Sequence, residues 1–192
     1  MGKVFDEIDD RLTGWIAAQQ LFFVATAPSG DGGHVNCSPK GPIESLRVLG
    51  PRRVAYLDLV GSGAETIAHL RQNGRIVIML CAFVGPPRIL RLYGRGRIVT
   101  AADAEFDELA GRFQIRDAYA TEPVKRSVVV VDVDRVADSC GYGVPLMEPV
   151  GDRPQQALWV ERKLAQGGPD AIAAYRAEHN VRSIDGLPAL DE

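Results

Sequence analysis

The sequence has few of the residues on which several protein classes depend. It contains three cysteines and three histidines, and its formal net charge is only −3. Three widely separated cysteines without a close CxxC pair fit neither the disulfide framework of a small secreted protein nor a zinc site. The histidines are too dispersed for metal-ligand spacing, and the charge argues against a nucleic-acid-binding surface. We therefore expect no metal and no nucleic-acid partner.

Long apolar segments are also missing. No stretch approaches the roughly 20 apolar residues that a membrane-spanning helix needs, and the chain opens with lysine and acidic residues rather than the basic and apolar start of a signal peptide. We expect a cytoplasmic protein with no membrane contact. Its 192 residues suffice for one well-filled core, which predicts a domain over residues 1–150. A helical extension over 151–192 would pack on that domain or on a second subunit.

Short β-rich segments dominate what is present. Apolar, partly β-branched runs predict strands at 21–27, 34–38, 53–59, 75–83, 89–100 and 128–136. Helical spacing of apolar residues predicts helices at 5–20, 64–73, 102–113, 155–166 and 169–179. Strands and long helices do not alternate regularly. The pattern therefore favours a mostly β fold with peripheral helices, built as an antiparallel barrel rather than a doubly wound parallel sheet.

The segment 34–42, HVNCSPKGP, runs from a strand into a turn rich in polar groups. It offers the amide of Asn36, the hydroxyl of Ser38 and the ammonium group of Lys40. Pro39 fixes its own φ angle and holds Ser38 extended, so the loop is stiff. Such a loop suits a planar, anionic ligand. The alternative is a hairpin end with a solvated lysine.

A second polar segment follows the predicted strand 53–59. The glycines around Gly63 allow close backbone approach, Ser62 and Thr66 offer hydroxyls, and a helix N-terminus supplies free amide donors, which together suit a phosphate. Alternatively, Ser62 and Glu65 form a capping box. The carboxylate of Asp58 either bonds a ligand hydroxyl or orients the turn backbone.

The third segment, 86–96, is rich in arginine. Arg88 and Arg91 are three residues apart, so on one strand they point to opposite faces. At most one of them readily enters a given pocket, and Arg88 is the better candidate.

These three segments resemble the motifs of the pyridoxamine 5'-phosphate oxidase-like family of FMN-binding split barrels. The matching sequences are NCSPKG at 36–41, YLD at 56–58 with GSGAET at 61–66, and PRILRLYGRG at 87–96. The resemblance implies an antiparallel split β-barrel that forms a homodimer, binds FMN and acts as an oxidoreductase on a small organic substrate. It also implies a set of cofactor-binding residues: Asn36, Ser38, Pro39, Lys40, Asp58, Ser62, Gly63, Thr66 and Arg88.

The sequence departs from the characterised oxidases of that family at their substrate-binding positions. Those enzymes carry an arginine early in the first motif, where this chain has Val35, and an Arg-Lys pair after the position of Gly63. Their C-terminal tryptophan and arginine have no clear counterpart. FMN is therefore expected and pyridoxamine phosphate is not, and no catalytic residue is assigned. A flavin- or haem-binding protein without turnover and a deazaflavin-dependent reductase remain as alternatives.

Overall fold

The computed structural model describes residues 2–115 and 124–190. Within these ranges the strands are β1 (Val4–Phe5), β2 (Phe22–Thr26), β3 (Asn36–Lys40), β4 (Leu46–Gly50), β5 (Arg53–Leu59), β6 (Arg75–Cys81), β7 (Ile89–Val99) and β8 (Lys125–Ser139). The helices are α1 (Asp10–Ala17), α2 (Glu65–Asn73), α3 (Phe106–Ala110) and α4 (Gln155–His179), with a short 3-10 turn at Ile43–Ser45. The predicted mostly β fold with peripheral helices is confirmed.

The strands form one antiparallel sheet in the order β3-β2-β6-β7-β8-β5-β4, and β1 pairs with β8. Apolar side chains from most of the strands form the main core, which includes Phe22, Ile78, Leu92 and Val129. Helix α1 covers this core with Leu12. Strands β3 and β5 carry two of the predicted motifs. Both strands belong to this one sheet, so the same core supports both motifs.

Several predicted bounds are corrected by local contacts. The helix predicted from residue 5 begins at Asp10, because the side chain of Asp9 accepts a hydrogen bond from the Leu12 N–H at 2.7 Å and so caps it. Phe5 lies in β1 instead. The strand predicted at 34–38 lies at Asn36–Lys40, where Thr26 pairs with Asn36 and Phe22 with Lys40. The helix predicted at 102–113 is confined to α3, and β4 was not predicted.

The C-terminal extension packs on the sheet domain of the same chain. Helix α4 is broken at Gly167 and Gly168, whose backbone angles are not helical, so it comprises the two helices predicted there. Val160 and Ile172 of α4 are buried together with Val60 and other apolar residues. In the described part of the chain, no helix has both the length and the apolar character needed to cross a membrane.

Candidate functional site

One face of β3 carries three polar side chains in a row. Asn36, Ser38 and Lys40 are alternate residues, so they lie on the same side of the strand, and all three are half-buried. Pro39 lies between them in an edge strand, where a residue without an N–H group is tolerated. The amide, hydroxyl and ammonium groups singled out in the sequence are therefore presented together.

A buried carboxylate stands opposite this face, near the end of β5. Asp58 is only 3% exposed. Its Oδ1 accepts a hydrogen bond from Lys40 Nζ at 3.0 Å, and its Oδ2 accepts one from Arg126 Nε at 2.8 Å. Burial by itself would raise the pKa of Asp58, but the charges of Arg126 and Lys40 outweigh burial and hold that pKa below its usual value. Asp58 is therefore an anion that fixes two cations.

Arg126 is the most strongly bonded of the site residues that the sequence did not reveal, which also include Ser45, Gln156 and Asn180. It is 3% exposed, and besides Asp58 it donates to the carbonyl oxygens of Gly61 at 3.1 Å and Gly63 at 2.7 Å. An arginine two residues before the four-valine run 128–131 of β8 was the available signal, because an arginine inside a buried strand needs a partner. Arg126 thus ties the turn after β5 to Asp58.

The extension holds the same turn from another direction. Asn180 Nδ2 donates to the Gly61 oxygen at 2.8 Å, and Gln156 Nε2 donates to the Val60 oxygen at 3.0 Å. In a trans peptide the N–H of the next residue points opposite to the carbonyl. The N–H groups that follow Gly61 and Gly63 are therefore directed away from Arg126.

Helix α2 begins at this turn without a side-chain cap. Its N-cap residue is Ala64, and no side chain caps it. The carboxylate of Glu65 instead accepts a hydrogen bond from the Ile184 N–H at 3.3 Å. The capping-box interpretation of Ser62 and Glu65 is therefore wrong. The N-terminal amide donors that α2 leaves unpaired carry the positive end of the helix dipole.

These elements enclose a polar cavity of about 250 Å³. Six of the nine residues predicted from the sequence line it: Ser38, Pro39, Lys40, Asp58, Gly63 and Thr66. Ser45, Glu65, Arg126 and Gln156 also contribute to its wall. The cavity thus joins residues from two motifs that are about 20 positions apart in the sequence.

The other three predicted residues lie outside the cavity wall. Asn36 lies behind it and donates to the Thr66 hydroxyl at 3.0 Å. Ser62 is exposed. Arg88 lies elsewhere in the chain, where it forms an ion pair with Asp138 at 2.9 Å and stacks on the ring of Trp15 at 5.2 Å. The structure does not bring Arg88 together with the first two motifs within one chain.

A larger groove of about 1080 Å³ adjoins the cavity. The two share Pro39, Lys40, Gly41 and Gln156. The groove is bordered by apolar side chains from the sheet domain and from the segment before α4: Leu21, Phe83, Met147, Pro149 and Val150. Charged side chains, among them Glu148, Asp152 and Arg153, also line the groove. The polar cavity is therefore adjoined by a larger groove whose surface is mostly apolar.

Two further polar side chains, His69 and Tyr56, are buried in the protein. His69 is fully buried, and its Nδ1 lies 2.9 Å from the Thr26 hydroxyl. Burial lowers the pKa of His69, although Asp185 and Glu65 oppose this effect. The Tyr56 hydroxyl is buried without a hydrogen-bond partner among the described residues, and burial, followed by the charge of Asp58, raises its pKa well above the usual value. Both side chains are therefore neutral at pH 7.

Comparisons with known proteins agree with this architecture. The family model described as pyridoxamine 5'-phosphate oxidase matches residues 8–140. The pyridoxamine 5'-phosphate oxidase family protein ustO of Aspergillus flavus is 37% identical over 199 residues, which cover 97% of this chain and 77% of that protein. The solved structure of a single-residue variant of HupZ from Group A Streptococcus superposes with a TM-score of 0.51 at 22% identity, and the match covers 69% of this chain and 99% of that one. At that identity the likeness concerns the fold alone. Because the family model spans well over half of the sequence, this chain belongs to the pyridoxamine 5'-phosphate oxidase family and has its split-barrel fold.

Proposed function

We propose that this chain is an FMN-dependent oxidoreductase acting on a small organic substrate. The main support for this proposal is the polar cavity. Its wall brings together residues of two separate motifs, 36–41 and 56–66, that the sequence predicted to bind a flavin. Family membership supports the same cofactor class. The sequence differs from the pyridoxamine phosphate oxidases at their substrate-binding positions. We therefore propose a small-molecule substrate other than pyridoxamine phosphate.

The two chambers fit the two halves of FMN. The smaller one has hydroxyl, ammonium and backbone donors, which suit the ribityl phosphate, with Gly63 and Thr66 beside the phosphate. The apolar groove suits the isoalloxazine ring, and Ser38 to Lys40 lie where the two chambers meet. The cations Lys40 and Arg126 are balanced by Asp58 and Glu65 in the same wall. A phosphate bound in this cavity would therefore be held by directed donors rather than by excess positive charge.

FMN, when bound, supplies hydride or electron transfer, and the protein sets its position and surroundings. The described residues fit this division of roles. Lys40 and Arg126 are fixed by Asp58, and the turn at 60–63 is held by Arg126, Asn180 and Gln156. These hydrogen bonds fix the turn, which would position a cofactor and keep its polar end in place.

We further propose that the protein acts as a cytoplasmic homodimer. Apolar side chains stand exposed in the segment 142–150, whose last residues border the groove: Tyr142, Leu146 and Val150 are 80%, 80% and 104% exposed. Exposed apolar residues in one contiguous segment are typical of an interaction surface. A second subunit that covers this segment would also cover one side of the groove.

The absorption spectrum of the purified protein tests the proposed function. We expect a yellow protein, or a colourless apoprotein that takes up FMN, with a flavin band that NADPH bleaches and air restores. A flavin band that no reductant changes would indicate a binding protein without turnover. Uptake of deazaflavin but not FMN, or of haem alone, would contradict the proposal.

The phosphate position is tested by two hydroxyl deletions four residues apart, one at Ser62 in the turn after β5 and one at Thr66 in the first turn of α2. Thr66 lines the cavity, whereas Ser62 is exposed outside it. We expect Thr66→Val to weaken FMN binding by about 1.5–3 kcal/mol, the usual cost of losing a hydrogen bond to a charged group. Ser62→Ala serves as the matched control, and its dissociation constant should stay close to that of the wild type. Equal FMN titrations for Thr66→Val and the wild type would place the phosphate elsewhere.

A further inference from the structure

Asn36 lies outside the cavity wall, yet it is hydrogen-bonded to two hydroxyl groups that form part of that wall. Its Nδ2 donates to Thr66 Oγ1 at 3.0 Å and to Thr26 Oγ1 at 3.3 Å. Its Oδ1 accepts from Ser38 Oγ at 2.8 Å. Thr66 and Ser38 both line the cavity, and Thr66 and Thr26 are buried. One amide therefore connects two wall hydroxyls on different motifs.

The surroundings of Asn36 determine which way its amide group faces. An amide has two N–H donors and one carbonyl oxygen. With Nδ2 toward Thr26 and Thr66, both donors find acceptors, and the oxygen receives the Ser38 hydroxyl. The reverse orientation would offer two donors to Ser38 alone and would leave one N–H unpaired. A half-buried donor without a partner is costly, so the observed orientation is favoured.

This orientation determines how the two wall hydroxyls are polarised. We propose that Asn36 is a positioning residue that makes Thr66 a hydrogen-bond donor and Ser38 a hydrogen-bond acceptor toward the bound ligand. Thr66 Oγ1 already accepts from Asn36, so its own hydrogen is available to the cavity. Ser38 gives its hydrogen to Asn36, so only its lone pairs face the cavity.

The two polarities match different parts of one ligand. A donor at Thr66 suits a phosphate oxygen, and an acceptor at Ser38 suits a ring N–H or a ribityl hydroxyl. Burial raises the pKa of Tyr56, and Thr66, which is close enough to interact with the Tyr56 hydroxyl, partly opposes this effect. Since that hydroxyl has no hydrogen-bond partner among the described residues, it is the competing acceptor inside the protein for the Thr66 hydrogen. The inference rests on the proposed FMN site, and it predicts that Asn36 contributes to selection of the phosphorylated flavin over riboflavin.

Asn36→Asp reverses the polarity with almost no change in shape. A carboxylate has no donor, so Thr66 must donate to residue 36 and present lone pairs to the phosphate. We expect the ratio of FMN affinity to riboflavin affinity to fall at least about tenfold, the value of a lost charge-assisted hydrogen bond. A purely structural role would weaken both flavins equally. Fluorescence titrations of the two flavins measure the ratio.

The new negative charge would also disfavour phosphate directly, and a double-mutant cycle separates the two effects. The Thr66→Val variant has no hydroxyl at position 66 whose hydrogen-bonding role could change. In that background, Asn36→Asp should lower the ratio of FMN affinity to riboflavin affinity only through its negative charge. We expect the fall to be several-fold smaller than in the wild-type background. An equal fall in both backgrounds would overturn the inference.

The uncharged variant Asn36→Leu provides the same test if the aspartate variant does not fold. It removes the amide without adding charge, so the Thr66 hydroxyl loses its fixed donor role, and the affinity ratio should fall about threefold or more, as for loss of one oriented hydrogen bond. An unchanged ratio in Asn36→Leu would overturn the role of Asn36 while leaving the FMN site intact. If the wild-type protein binds neither flavin, the proposed function itself fails.

Discussion

Arg126→Met should lower the free energy of unfolding by about 3–5 kcal/mol at pH 7, the usual cost of removing one partner of a buried ion pair. The substitution keeps most of the apolar side-chain volume but removes the two bonds to Asp58 and those to the Gly61 and Gly63 carbonyls. Asp58 would keep Lys40 as a partner but would remain buried. Chemical denaturation of the apoprotein measures the change, and FMN affinity should fall with it because the turn loses its support.

The loss should depend on pH in a defined direction. In the wild type the pKa of Asp58 is lowered, so its ionised form contributes stability above the ordinary carboxyl pKa and that contribution is lost as pH falls through the folded-state pKa. Without Arg126, burial is opposed by Lys40 alone, so the pKa of Asp58 should be higher in the variant than in the wild type. As pH falls from 7, protonation of Asp58 would then destabilise the variant less than the wild type. The stability difference between wild type and variant should therefore shrink toward pH 4.

Arg53→Met is the matched control for this prediction. Arg53 also bonds an aspartate, Asp132, at 2.6 Å, but the two side chains are 57% and 59% exposed. Surface pairs of this kind contribute about 0–1 kcal/mol, and the effect should diminish with added salt. Similar losses for Arg126→Met and Arg53→Met, or a loss at Arg126 that does not change with pH, would contradict the proposed role of the buried pair.

Gly94→Ala should lower the free energy of unfolding by about 3 kcal/mol or more, a loss comparable to that expected for Arg126→Met. The reason is that the added methyl group overpacks the interface between two strands. Gly94 stands where the pairing of β7 and β8 shifts register. A β-carbon there would overlap the carbonyl oxygen of Asp132 and lie 2.9 Å from its carbonyl carbon and 3.0 Å from Val133 Cα. These are backbone atoms of the neighbouring strand, so the strands themselves must separate. Thermal and denaturant unfolding report the loss.

Gly50→Ala provides the control at a comparable place. Gly50 also lies at a register shift, between β4 and β5. A β-carbon there has no neighbouring atom within 4 Å, and its φ angle is not positive. Replacing such a glycine should change stability by no more than about 1 kcal/mol, and the reduced freedom of the unfolded chain favours a small gain. If both variants were equally stable, the close approach of β7 and β8 would not constrain the fold.

Local sequence patterns correctly predicted those strands and helices whose bounds depend on residues within the element or next to it. The apolar run 53–59 became β5 with the predicted bounds, and Gly74 ends α2 in the left-handed conformation that favours glycine. The helix start at Asp10 was missed because β1 draws Phe5 into the sheet by pairing it with Val136. Strand β4 was missed although it pairs with the next strand, β5, across the two residues 51–52. The alternation of Leu46 and Val48 before the Gly50-Pro51 break was the available local signal.

The sequence by itself determined the mostly β character of the chain, the hairpin of β2 and β3, and the polar motifs at 36–41 and 61–66, because spacing and turn residues act over a few positions. Only the tertiary structure decided which groups meet. It placed Arg126 on Asp58, turned Asn36 behind Thr66, and carried Arg88 to Asp138. Such pairings depend on strand order and register across the whole sheet, so they arise only when distant segments share one core.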